Sequence, residues 1–242
     1  MFQTGMVGYP ESLTDPSYRR QLLVLTYPMV GNYGVPHASP QGDLNGWAES
    51  GRIWAGALVV GEHCETPSHW ASGRTLGDWL REEGVPGIEG VDTRALTKII
   101  REKGTMLGRI IMEGDDINTV ESFDPNTMNL VEEVSVKSVK TYNPSGSPRI
   151  CAVDCGLKLN QIRCLVGRGA KVDVVPWDHK LDMREYDGLF LSNGPGDPQT
   201  CKATVDQIQN VMKEDKPKPI FGICLGHQLL AVAAGCQTYK LK

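Results

Sequence analysis

The chain is short of the features that mark membrane, secreted or nucleic-acid-binding proteins. No apolar run approaches the ~20 residues of a membrane-spanning helix. The opening Met1-Phe2-Gln3-Thr4-Gly5 lacks the charged and apolar regions of a secretory signal. It also lacks the Arg-rich amphipathic character of a transit peptide. Positive charge is not in excess: 25 basic residues face 29 acidic ones, for a net charge of −4. That balance argues against nucleic acid as a main partner. The 7 cysteines are an odd count with no repeated spacing. Cys151 and Cys155 do not form a C-x-x-C pair. Neither a disulfide framework nor a zinc site is expected, and the thiols point to a reducing compartment, the cytoplasm. Internal repeats and low-complexity tracts are also missing.

What is present is ordinary in amount and uneven in pattern. The 242 residues are 40% hydrophobic and 22% charged, enough for one or two globular cores. In the first half, strands are expected at 21–27 and 53–60 and again at 106–112. Thr75 reads as the N-cap of a helix that stops at Gly84, and residues 92–104 form a second helix with one apolar face. Residues 135–148 are rich in Ser, Lys, Pro and Gly and show no period, so they read as a linker. Short apolar runs then alternate with helical ones. The strands fall at 150–154, 171–176, 189–192 and 219–223, and the helices at 157–168, 204–213 and 228–234. The expectation is an α/β protein: a mixed α/β unit at 1–134, then a doubly wound parallel sheet at 149–242. Ligands of such sheets bind beyond the carboxyl ends of the strands.

Two of those strand ends carry unusual chemistry. Phe221-Gly222-Ile223-Cys224-Leu225-Gly226-His227-Gln228 places one thiol between two glycines, after a strand and before a helix. This is the cysteine form of a nucleophile elbow, a turn so sharp that flanking side chains would clash. A buried core cysteine is the plainer reading, and the two glycines argue against it. Upstream, Leu191-Ser192-Asn193-Gly194-Pro195-Gly196 runs from a strand into a Gly-Pro-Gly turn. Glycines there let backbone N–H groups approach a developing oxyanion, each such donor being worth about 10²–10³ in rate. His227 adjoins the thiol, but its place on the first helical turn points it elsewhere. His37, His63, His69 and His179 read as surface or linker histidines. Asp154 reads as a polar strand end that could face the site, and the tryptophans as core or interface residues.

The elbow with its Gly-Pro-Gly loop resembles class I glutamine amidotransferases. The first half narrows this. Gly8-Tyr9-Pro10-Glu11-Ser12-Leu13-Thr14-Asp15-Pro16-Ser17-Tyr18, Tyr27-Pro28-Met29-Val30-Gly31-Asn32-Tyr33-Gly34, Gly90-Val91-Asp92-Thr93-Arg94 and Arg101-Glu102-Lys103-Gly104 resemble the small subunit of carbamoyl-phosphate synthetase. Thr66-Pro67-Ser68-His69-Trp70 and Val175-Pro176-Trp177-Asp178-His179 resemble the glutaminase region of the animal-type multifunctional pyrimidine-synthesis polypeptide.

The resemblance implies that Cys224 is the nucleophile that forms a γ-glutamyl thioester and releases ammonia. It implies that the Leu225 N–H and the Gly194–Gly196 backbone contact the oxyanion and substrate, and that Gln228 and Ser17 bind glutamine. The partner it implies is a synthetase large subunit or downstream synthetase domain, where ATP and Mg would act; no cofactor is expected within these residues. The pathway, pyrimidine or arginine, is left open. An ammonia-dependent relative with the same two domains lacks the cysteine, so a non-catalytic scaffold is the alternative. The family's triad His and Glu would lie past Lys242, and the first strands before Phe2. A chain truncated at both ends, and inactive on its own, is the expectation.

Overall fold

The computed structural model describes residues 1–37, 44–119 and 124–239. The first half contains β1 (Phe2–Gln3), α1 (Tyr9–Leu13), β2 (Leu22–Leu25), β3 (Met29–Val30), β4 (Val35–Pro36), β5 (Ala57–Val59), β6 (Glu62–His63), β7 (Ser72–Arg74), α2 (Leu76–Glu82), β8 (Gly87–Ile88) and α3 (Thr93–Lys103). Strands β1, β2, β5 and β8 lie side by side, all parallel. Leu23, Leu25 and Leu58 pack with Leu13 of α1 and Trp79 and Leu80 of α2. Helix α2 starts where expected, because the Thr75 hydroxyl accepts the Asp78 N–H at 3.0 Å. Asp92 caps α3 in the same way, accepting from Ala95 at 2.8 Å.

Residues 106–112 do not form the expected strand. Leu107 and Met112 stay 59% and 62% exposed. Apolar content supplies β-propensity, but a strand also needs a neighbouring edge to take its backbone hydrogen bonds, and none pairs with it among the described residues. The expected surface role also fails for His63: it is half-buried, and its Nε2 is enclosed without a hydrogen-bond partner. Trp70 is 92% exposed, so of the core and interface roles expected for the tryptophans it does not take the core one.

The second half holds α4 (Leu130–Val134), β9 (Lys140–Tyr142), β10 (Arg149–Asp154), α5 (Leu159–Val166), β11 (Lys171–Pro176), β12 (Gly188–Leu191), α6 (Lys202–Met212), β13 (Ile220–Gly222) and α7 (Leu225–Ala233). The sheet runs β13-β12-β10-β11-β9. Four strands are parallel and β9 is antiparallel at the edge. Alternation along the strands assigns the faces. Cys151, Val153, Leu189 and Leu191 meet α6 and α7 through Val205, Ile208, Leu225 and Leu229. Ala152, Val172, Val174 and Phe190 meet α5 through Ile162 on the other face. The sheet is therefore doubly wound, as the alternating pattern implied.

Strand β9 comes from the segment read as a linker. Its three residues are too few to show a period. The Thr141 hydroxyl donates to Asp173 Oδ1 at 2.6 Å, the Val136 N–H donates to Asp154 Oδ2 at 2.9 Å, and Ser135 Oγ accepts from the Trp177 N–H at 3.0 Å. Arg149 Nε holds Asp173 Oδ2 at 2.8 Å. Burial alone would raise the Asp173 carboxyl, but the hydrogen bonds from Thr141 and Arg149 outweigh it and hold it below the usual range. The native carboxyl then binds its proton more weakly than the unfolded one, so this stability is present above about pH 4 and fades as pH falls through the native value. Asp173→Asn is expected to lower the unfolding free energy by about 1.5–3 kcal/mol at neutral pH. Urea melts across pH check this: the gap to wild type should close below about pH 4, and an equal gap at both ends would contradict it.

Candidate active site

Three strand-to-helix connections on the carboxyl side of the second sheet meet at one place. The first is the turn after β10, Cys155-Gly156. The second is Asn193–Gly196 after β12. The third is the elbow after β13. Gly156 and Gly194 lie so close that a Cβ on Gly156 would sit 2.9 Å from the Gly194 Cα. A Cβ on Gly194 would collide with the Cys155 carbonyl and meet Leu225 Cδ2 at 3.1 Å. The strand order turns in opposite directions from β10 to β11 and to β12, which is where a crevice opens in sheets of this kind.

At the elbow, the Ile223 N–H still pairs with the Leu191 carbonyl at 3.0 Å, as if the strand continued. Cys224 then takes φ 51° and ψ −109°. A non-glycine residue there stores about 1–3 kcal/mol of strain. Helix α7 starts at the next residue, three residues earlier than the apolar pattern alone suggested. A Cβ on Gly222 would come within 2.6 Å of the Gly226 and His227 backbone, and one on Gly226 would collide with the Leu191 carbonyl. Both glycines are therefore steric requirements. The result is an exposed thiol at the N-cap of a helix. Leu225 is the first helical residue, so its N–H has no acceptor within the helix and can serve an oxyanion. The Gly226 N–H is already used, by the Ser192 and Ile223 carbonyls at 3.0 and 2.9 Å. Gln228 sits one turn on, exposed, its N–H on the Cys224 carbonyl at 3.0 Å. His227 is exposed on the same turn.

Ser17 reaches this region from the first half. It lies in a 3₁₀ turn, Pro16–Tyr18, capped by Asp15. Its Oγ accepts from Asn193 Nδ2 at 2.9 Å. Ser17 is thereby tied to the loop that carries Gly194 and Gly196. Gly194 is needed for close approach, and Gly196 for its φ of 87°. Asp154 is 5% exposed and accepts the N–H groups of Gly156, Leu157 and Val136 at 2.7–2.9 Å. Burial raises its carboxyl above the usual range despite those bonds. It shapes the turn and does not face the site as a free acid.

Sequence reasoning passed over the supporting residues. Asn193 stands directly before Gly194 in the sequence, where a polar strand end carries no signal of its own. Asp15 bonds Lys158, at 2.6 Å to Nζ, and the Ser17 N–H. Burial alone would lower the Lys158 amine, and Asp15 beside it more than compensates. Among the described residues no group of three His, Cys, Asp or Glu could hold a metal ion. Gly226→Ala is expected to destabilise by about 1–3 kcal/mol through overpacking against Leu191. An unchanged urea midpoint would show that α7 is not seated on that strand.

Residues 1–110 match the carbamoyl-phosphate synthase small chain, CPSase domain, and residues 151–242 match glutamine amidotransferase class-I. Across its whole length the chain is 57% identical to "Multifunctional protein CAD" of Squalus acanthias, of which it spans 11%. It is 46% identical to "Multifunctional protein URA2" of Saccharomyces cerevisiae, spanning 12% of it. It is also 44% identical to "Carbamoyl-phosphate synthase [ammonia], mitochondrial" of Homo sapiens, spanning 16% of it. With the elbow and its partner loop in place, the chain joins a carbamoyl-phosphate synthase small-chain domain to a class I glutamine amidotransferase domain.

Proposed function

We propose that this chain is the glutaminase part of a glutamine-dependent carbamoyl-phosphate synthase, working within a longer polypeptide or complex in pyrimidine biosynthesis. The single observation that carries the reading is Cys224, exposed at a strained elbow between two glycines that cannot be replaced without collision. The thiolate would attack the side-chain amide carbon of glutamine. The oxyanion would be met by the Leu225 N–H and the Gly194–Gly196 loop, and the C–N bond would break as the leaving nitrogen takes up a proton. Water would then attack the γ-glutamyl thioester, releasing glutamate and restoring the thiol. Ser17 and Gln228 would hold the amino acid. Ammonia would pass to a synthetase region, where ATP and Mg act outside these residues.

Similarity to the ammonia-named human synthase keeps a scaffold role in view, since the two-domain architecture serves either reading. Cys224 in a formed elbow favours chemistry. Free thiols throughout the chain fit a cytoplasmic setting. Among the described residues no helix is long and apolar enough to cross a membrane.

In the polypeptide containing this chain and its synthetase region, Cys224→Ser is expected to abolish carbamoyl phosphate formation from glutamine and to leave synthesis from free ammonia. Equal loss with both nitrogen sources would refute the role of Cys224. A glutamine-analogue chloroketone should label Cys224, and absence of labelling at saturation would favour the scaffold.

A further inference from the structure

The hydrogen bonds around Asn193 have a forced direction. Asn193 is 4% exposed, and its carboxamide touches three separate segments. The Gly156 carbonyl can only accept, so the Asn193 nitrogen must face it, at 3.1 Å. That places Asn193 Oδ1 toward Gln161, whose Nε2 donates at 2.8 Å. The second hydrogen of the Asn193 NH₂ goes to Ser17 Oγ at 2.9 Å. Ser17 is also fixed at its backbone. Its N–H donates to Asp15 Oδ1 at 2.9 Å, and its carbonyl accepts from Gln21 Nε2 at 3.2 Å. A serine hydroxyl has one proton to give. Because Ser17 Oγ accepts from Asn193, that proton is not spent on the loop and stays available for a ligand beside Gly194.

We propose that Asn193 is a positioning residue that fixes the Ser17 hydroxyl as a hydrogen-bond donor to an acceptor oxygen of the bound amino-acid substrate. The inference rests on the glutaminase reading of the site and goes beyond it in assigning Asn193 a task and Ser17 a direction. An acceptor in place of the Asn193 NH₂ would take the Ser17 proton for itself and leave the substrate oxygen without it.

The experiment is a double-mutant cycle in the longer polypeptide that contains this chain, with L-glutamine as the varied substrate and ammonia-dependent synthesis as the control for folding. Ser17→Ala and Asn193→Asp should each raise KM for glutamine about tenfold or more, with kcat falling less. Asn193→Asp added to Ser17→Ala should change KM by no more than about twofold, because the proton it diverts is already gone. An unchanged KM in either single variant overturns the proposal. So does an Asn193→Asp effect that persists in full without the Ser17 hydroxyl, which would mean that Asn193 acts only on the loop. Should Asn193→Asp lose ammonia-dependent synthesis, Gln161→Glu replaces it. Gln161 is half-buried on α5, and the new carboxylate cannot donate to Asn193 Oδ1, so the carboxamide is driven away from Ser17. The same KM rise, absent in the Ser17→Ala background, is expected; no rise, or one kept in that background, overturns the proposal. Failure of the underlying reading looks different: Cys224→Ser would then leave glutamine use intact.

Discussion

The site depends on three backbones sharing a space that leaves no room for a Cβ. The turn after β10 and the Gly-Pro-Gly loop after β12 touch at Gly156 and Gly194, Leu225 of α7 closes on Gly194, and Gly226 seats α7 on Leu191 of β12. Each glycine admits a carbonyl or a Cα where a methyl would collide. That approach brings the Leu225 N–H, the thiol and the Gly194 loop together. It also fixes α7 on β12, with Leu225 and Leu229 fully covered. The strain at Cys224 is tolerated because the Ile223 and Gly226 N–H groups on either side are both bonded to β12 and its extension. The elbow is a consequence of how tightly the helix packs, as much as of its own local sequence.

The contact between the two halves is a second level of the same design. Helix α5 has no side-chain cap of its own. Its cap comes from the first half: Glu49 accepts the Leu159 N–H with its carbonyl and the Asn160 N–H with Oε2, each at 2.9 Å. A carboxylate there also meets the positive end of the helix. Arg163 of α5 returns the contact, donating to the Leu44 and Ala48 carbonyls at 2.8 and 2.7 Å. Glu133, at the end of α4, takes both Arg19 and Arg20. The Arg19 and Arg20 pairs follow directly on the Ser17 turn.

Much of this was legible where the cause is local. The parallel sheet followed from apolar runs alternating with helical ones. Thr75 and Asp92 announced their helices because a cap acts within three residues. Cys224 with Gly222 and Gly226 was readable because the turn's steric demand falls on adjacent positions. What stayed hidden has a distant cause. The start of α5 depends on Glu49, more than a hundred residues away, so pattern alone placed it too early. Residues 106–112 carry the composition of a strand, but pairing is decided by a neighbour. Strand β9 was missed for the opposite reason, since two polar residues and a tyrosine become a strand only because the edge of β11 is free to receive them. The Asn193 network spans residues 17 to 193, and no spacing rule links them.

The anchored connector changes how Ser17 and the thiol should be thought of as a pair. A flexible segment of this length would leave the two halves to find each other by chain diffusion, with a loop-closure entropy to overcome each time. Here the segment after α4 is bonded to Asp154, Trp177 and β11, and α4 itself is held to Arg19 and Arg20. The hydroxyl from one half is thus presented to the other at a high and constant effective concentration. On the proposed reading, a substrate entering the crevice would meet both halves already assembled, and its binding energy would not be drawn on to bring them together.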